Sequence, residues 1–206
     1  MDLVRTTAPT RSEILAFITV PAVKAAKRIA HDLEDQLIAE FVVDAFQFFD
    51  GPDGWLRRAV LPQAWTYYRP AFSDEMEIPV PPLASVEAVK YRDAAGALQT
   101  LAPTNYEVID GTFFGKIVLA ADGAWPTTKT MQRAVEIQFR AGWAADEVPG
   151  PVRRSIMLLA GSLYEHREAD FEDTRVSFVS RKIEYGIEKL AGRFRILNDL
   201  YDVFAV

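Results

Sequence analysis

Cysteine is absent from all 206 residues, which excludes disulfides, thiolate zinc sites, iron–sulfur clusters and cysteine nucleophiles together. That absence suits a reducing compartment. Histidine is scarce too, with only His31 and His166. No apolar run approaches the ~20 residues of a membrane-spanning helix, because charge interrupts each within about ten. Residues 1–20 lack a basic start followed by a continuous apolar stretch, so no secretory signal is expected. A basic excess is missing as well. The net charge of −6 argues against a body that grips nucleic acid by its phosphates. No Gly-x-Gly-x-x-Gly or Walker-type loop cradles phosphate, and no Gly-x-Ser-x-Gly elbow presents a nucleophile. There is no internal repeat and no low-complexity tract.

Proline is present in quantity, and its placement is informative. Ile78-Pro79-Val80-Pro81-Pro82-Leu83 forbids a helix, since each proline lacks an amide donor and has its φ fixed. Val86, Val89 and Tyr91 follow, then a polar Asp93-Ala94-Ala95-Gly96 turn, which together read as strand and hairpin. From Leu61 to Trp143 the apolar period is two. Trp65 and Tyr67 alternate with polar neighbours, and Val135, Ile137 and Phe139 alternate with Glu136, Gln138 and Arg140. Such alternation predicts antiparallel strands with one buried and one wet face, the first set inward and the second facing water. Tyr106 to Ile109 and Lys116 to Leu119 add further strands. Five or six strands are expected, ending at Ala141-Gly142-Trp143.

Helical patterns flank this region. Thr10 and Glu13 fit a capping box, and Pro21 suits the first turn of a helix over 21–29. Asp32 is the candidate cap of a helix over 32–49, whose apolar face is read as Leu33, Leu37, Phe41, Ala45 and Phe48. Asp50-Gly51-Pro52-Asp53-Gly54 ends it. Beyond the Val148-Pro149-Gly150-Pro151 hinge, Val152, Ile156, Leu159, Ala160 and Leu163 line a helix over 151–168. The fold class is therefore α+β, a helical core with an inserted antiparallel β subdomain and an extended C-terminal tail. The expected boundaries are 1–60 and 146–195 for the two helical parts, 61–145 for the β insert and 196–206 for the tail.

Candidate chemistry is sparse. His166 with Glu165, Glu168, Asp170 and Glu172 could in principle furnish metal ligands, but the simpler reading sets His166 and Arg167 at a helix C-terminus, favouring the negative end of its dipole. His31 reads as a helix-boundary residue, and Glu165/Glu168 as a solvated last turn. Trp55, Trp65, Tyr67, Tyr68 and Phe72 could stack bases, yet Arg57, Arg58 and Arg69 are too few for a nucleic-acid platform, so packing is the better account. No catalytic residue, metal or cofactor is expected. From Arg181 to Arg195 the charge turns basic, and Ile196, Leu197, Leu200, Tyr201 and Phe204 make an apolar terminus. A docking element is expected there, with Arg193, Phe194, Arg195, Ile196, Leu197, Leu200, Tyr201 and Phe204 as partner-binding residues, the arginines setting register against acidic groups. Folding back on the chain's own core is the alternative.

Taken in order, these motifs resemble the head–tail connector (adaptor) family of tailed bacteriophages, including adaptors of phage-derived gene transfer agents. The likeness is carried by Ile78 to Val86 continuing through Val89, Tyr91, Asp93 and Gly96, then Gln99-Thr100-Leu101, Tyr106, Trp125-Pro126 and Ala141-Gly142-Trp143. Val148-Pro149 and Leu163-Tyr164-Glu165-His166-Arg167-Glu168 match the second half, and Glu34 to Ile38 and Leu61 to Trp65 the first, over about residues 20–195. The chain departs from the family at Ala26-Lys27-Arg28, in its long polar stretch from Asp50 to Arg57, and in running on to Val206. The resemblance implies a ring, commonly of twelve copies, under the portal protein of a capsid, assembled in the bacterial cytoplasm. It would contact neighbouring copies and a tail-side stopper or tail terminator, with DNA passing through without sequence-specific binding and no membrane involved. Acidic surface on such a channel would repel phosphate. Another neck or baseplate protein, or a small-molecule enzyme with an unrecognised site, are the alternatives.

Overall fold

A computed structural model describes residues 2–111, 113–166 and 181–197. It contains five α-helices and two antiparallel sheets among those residues, an α+β fold. The described residues divide into two compact units, one of residues 2–8 and 58–144 with Ile196 and Leu197, the other of residues 9–57 and 145–195.

The first unit is β. Strands β1 (Asp2–Thr7), β2 (Gln63–Arg69), β8 (Val135–Ala141), β4 (Leu83–Arg92) and β5 (Leu98–Thr100) form a five-stranded sheet in that order, and β3 (Glu75–Glu77), β7 (Lys116–Leu119) and β6 (Tyr106–Ile109) a second. The predicted alternation holds on β8. Val135, Ile137 and Phe139 are buried, Glu136 and Gln138 are half-exposed and Arg140 is exposed. They join Trp65, Met76, Ile78, Val80, Val89 and Ile117 in one apolar core. The 93–96 turn forms as expected. The Asp93 carboxylate accepts from the Ala95 and Ala97 amides at 3.0 Å, and Gly96 sits at φ +90°, where a side chain would be strained. At the end of β8, Gly142 has φ +111°, and a Cβ there would collide with the Leu61 carbonyl.

Two expectations need correction here. Seven strands, not five or six, lie between 63 and 141, because the segment splits into two sheets. Residues 2–7, placed with the helical part by the 1–60 boundary, instead form β1, in register Leu3↔Tyr67 and Arg5↔Trp65. Only Asp2 and Leu3 of β1 are half-buried and the rest is exposed, so the strand carries no buried-and-wet alternation to read.

The second unit is helical. The capping box forms: Thr10 Oγ accepts from the Glu13 amide at 3.3 Å while the Glu13 carboxylate accepts from the Thr10 amide at 2.7 Å, opening α1 (Arg11–Phe17). Helix α2 (Val20–Lys27) has Pro21 in its first turn and Thr19 as cap, and ends on Arg28 in the left-handed region. Helices α3 (Asp35–Phe49), α4 (Gly150–Glu165) and α5 (Arg181–Ala191) complete the unit. The end expected for α4 near 168 lies outside the described residues, and His166 is its cap. Helix α4 packs against both α3 and α5, which share no comparable packing with each other among the described residues.

Asp32 is not the cap of α3. That helix starts after Glu34 without a side-chain cap bond, and Asp32 is engaged by Lys24. The expected apolar face of α3 is only partly the buried one. Ala45 is buried as expected and Phe41 half-buried, but Leu33 just before the helix is 92% exposed, Leu37 37% and Phe48 41%, and the rest of the buried face is Ile38, Ala39, Val42, Phe46 and Phe49.

Candidate docking surfaces

The predicted C-terminal residues divide in two. After α5 a tight turn carries Gly192–Phe194. Arg193 is exposed and its guanidinium lies 4.7 Å from the centroid of Phe194, which is half-buried. Arg195 is half-buried over the ring of Trp55 at 4.9 Å, a cation–π contact within its own unit. Ile196 is 1% exposed and Leu197 63%. Arg195 and Ile196 are thus already engaged inside the chain, which leaves Arg193 and Leu197 as the open members of the predicted set. Leu200, Tyr201 and Phe204 lie outside the described residues.

Helix α5 has an open row of its own. Tyr185, Lys189 and Arg193 follow at four-residue steps and are all exposed, Tyr185 at 65%, with Lys189 Nζ 5.3 Å from the Tyr185 ring centroid. Glu184 and Glu188 occupy the adjacent exposed row. Helix α3 offers a second open face, where Leu37, Asp44 and Phe48 follow Leu33. Exposed apolar side chains on one helix make it a candidate contact surface.

The unit is locked beneath these faces by charge. The ammonium of Lys24, whose side chain is 11% exposed, donates to Asp32 and, at 2.6 Å, to Asp35. The hydrogen bond to Asp32, then that to Asp35, holds its pKa above the ordinary lysine value, and the same bond to Lys24 holds Asp32 below the carboxylate norm. Tyr164 donates to the Glu34 carboxylate. Lys27 lies across Gly161 and reaches Glu165 at 2.8 Å.

The residues weighed for chemistry are placed as follows. His166 donates from Nδ1 to the Ser162 carbonyl at 2.9 Å in the tautomer that carries that proton, within the last turn of α4. Among the described residues no three of His, Asp and Glu converge as a metal set. Glu168, Asp170 and Glu172 lie outside them. His31 is half-exposed, 3.8 Å from Glu34, at the corner between α2 and α3. The aromatic faces weighed for base stacking are largely occupied. Arg5 covers Trp65 at 4.7 Å, Arg133 covers Tyr68 at 4.5 Å, and Phe72 stacks on Trp125 at 4.7 Å with planes 5° apart. The arginine partners of Trp55 and Trp65 come from distant segments and could not be paired from sequence alone.

No protein-family model matches the chain, and no curated protein matches it. Solved structures do. The chain is similar to one in the neck of an empty gene transfer agent particle computed with C6 symmetry, at TM-score 0.72 and 22% identity over 96% of both chains. A chain of the virion of a native gene transfer agent particle aligns at TM-score 0.70 and 21% identity, again over 96% of both. A third, in the neck of a native particle computed with C12 symmetry, aligns at 0.64 and 22% over the same coverage. At these identities the likeness establishes a shared fold over nearly the whole chain.

Proposed function

We propose that this chain is a structural head–tail connector (adaptor) of a phage or phage-like particle, forming a ring beneath the portal. The observation that carries the reading is the near full-length likeness to a neck chain, at TM-score 0.72 over 96% of both chains. Two of the similar structures are neck assemblies computed with C6 and C12 symmetry, which supports a ring of copies. The order of motifs in the sequence points the same way independently.

In this reading the chain does no chemistry. It joins portal protein to a tail-side stopper or tail terminator and lines a channel through which DNA passes without base readout. Net negative charge suits that task, because a surface rich in carboxylates repels phosphate. The exposed Arg193 and Leu197, with Leu200, Tyr201 and Phe204 beyond them, form the docking element towards the portal or a neighbouring copy. In cells that produce the particle, removing this chain should leave heads and tails unjoined in electron micrographs. Normally tailed particles lacking the chain would overturn the proposal.

A further inference from the structure

The two sheets leave edges at β1, β5, β3 and β6 among the described residues. Proteins blunt such edges, because unpaired backbone groups recruit other strands. The register of β1 shifts between Arg5 and Thr7, β5 has only three residues, and β3 has three with a glutamate at each end. Strand β6 has no such guard. It runs in unbroken register along β7 and carries neither lysine nor proline. The Ala120 amide donates to the Asn105 carbonyl at 3.1 Å, so by antiparallel alternation Tyr106 and Val108 turn their amides and carbonyls to the open side. Apolar surface accompanies that edge. Val108 stands opposite the fully buried Ile117 yet is 45% exposed, and Ile109 and Phe113 are 47% and 48% exposed. Glu107 and Asp110 beside them are exposed and have no ion partner among the described residues.

We infer that this edge is completed by residues 174–180 of a neighbouring copy, added as an extra strand; this rests on the ring reading above. An open sheet edge accepts an extended segment, and the alternating side chains supply the selectivity. Thr174-Arg175-Val176-Ser177-Phe178-Val179-Ser180 lies outside the described residues, and its sequence has the required chemistry. β-Branched and aromatic residues prevail in it, and proline and glycine are absent. From Thr174 to Lys182 there is no carboxylate, while Arg175, Arg181 and Lys182 are basic. These bases complement Glu107 and Asp110, and Val176 and Phe178, on one face of such a strand, extend the apolar surface at Val108. The C-terminal stretch 198–206 carries Asp199 and Asp202 with no base, the wrong sign for this edge. Both flanks of 174–180 belong to the helical unit and β6 to the β unit, so the contact joins two different patches, as a head-to-tail ring requires.

Proline separates the open edge from the ladder behind it. Val108→Pro removes an amide that faces outward, which an edge strand tolerates, whereas Ile109→Pro removes one that faces β7 and should lower the melting temperature. Val108→Pro should leave the melting temperature of the free chain near wild type. Its ring yield, read by native mass spectrometry, should fall by about tenfold or more, because each seam loses a hydrogen bond and meets a blocked edge. Full ring yield from folded Val108→Pro would overturn the inference. The absence of cysteine allows a second measurement that does not depend on that variant. Copies carrying Glu107→Cys are mixed with copies carrying Ser177→Cys under ring-forming conditions and treated with a short bis-maleimide. Mixed dimers are expected, and neither variant alone should give any. Dimers from Glu107→Cys alone would mean a two-fold β6 contact and count against the pairing. So would linkage confined to single chains when one chain carries both substitutions. Rings of mixed copies without cross-links would sink the inference while leaving the ring reading intact. A wild-type chain that forms no ring would remove both.

Discussion

Lys24 shows how one side chain fixes a corner. Its stem is buried under the turn between α2 and α3 while its ammonium spans Asp32 and Asp35, so the turn is held by charge in place of a side-chain helix cap. The pH consequence follows from the two shifts. Asp32 is held below its ordinary value chiefly by the Lys24 hydrogen bond, so its contribution is present above about pH 4 and fades as pH falls through the lowered value. Lys24 is held above its ordinary value chiefly by Asp32, so its contribution is full below about pH 10 and fades only as pH rises through the raised value. Lys24→Met keeps the stem and removes the charge. Its melting temperature should fall below wild type by a constant margin across neutral pH, and the margin should narrow in acid. A margin that stays unchanged down to pH 2 would contradict the ion-pair account. Sequence alone paired none of these groups, because Lys24 meets its partners through a chain reversal that no local spacing encodes.

Helix α3 shows where periodicity stops being decisive. Its sequence, DQLIAEFVVDAFQFF, is apolar round most of its circumference, so a four-residue step can be drawn through either Leu37–Phe41–Phe48 or Ile38–Val42–Phe46–Phe49. Packing against α4, α1 and α2 selects the second. Phe46→Ala should cost about 3–5 kcal/mol of unfolding free energy, the usual range for emptying a buried phenylalanine site. Phe48→Ala, which loses its edge contact with Phe49 but leaves the core filled, should cost the free chain only about 0.5–1.5 kcal/mol. Denaturant titration of both separates the two faces, and equal losses would mean the burial pattern is wrong. Strand β8 was legible for the opposite reason. Its period of two has one solution, since shifting it by a residue would bury Glu136, Gln138 and Arg140. The proline run was legible too, because it excludes helix whatever its neighbours do. Strand β1 was not, since its partner residues in β2 lie some sixty positions away.

At the scale of the whole molecule, the burial of Ile196 shifts where a docking tail can begin. Removing 196–206 would empty the site that Ile196 fills, at a cost of roughly 1.5–3 kcal/mol for that side chain alone. Removing 198–206 spares it. The shorter deletion should leave the thermal unfolding of the free chain within a degree or two of wild type, as surface changes do, yet stop heads from joining tails. A large drop in melting temperature would assign those residues to the chain's own core. The partition into two units has a temporal side as well. The chain passes between them after residues 8, 57, 144 and 195, so neither unit is a continuous stretch. On a ribosome moving at about 5–20 residues per second, β1 emerges early and waits for β2, while β2 waits for β8 through all of residues 70–134. The first three helices likewise wait for α4. Neither unit can close until its last segment has been made. Until β8 has been made, one edge of β2 stays unpaired, which is the interval in which this chain is open to pairing with another strand.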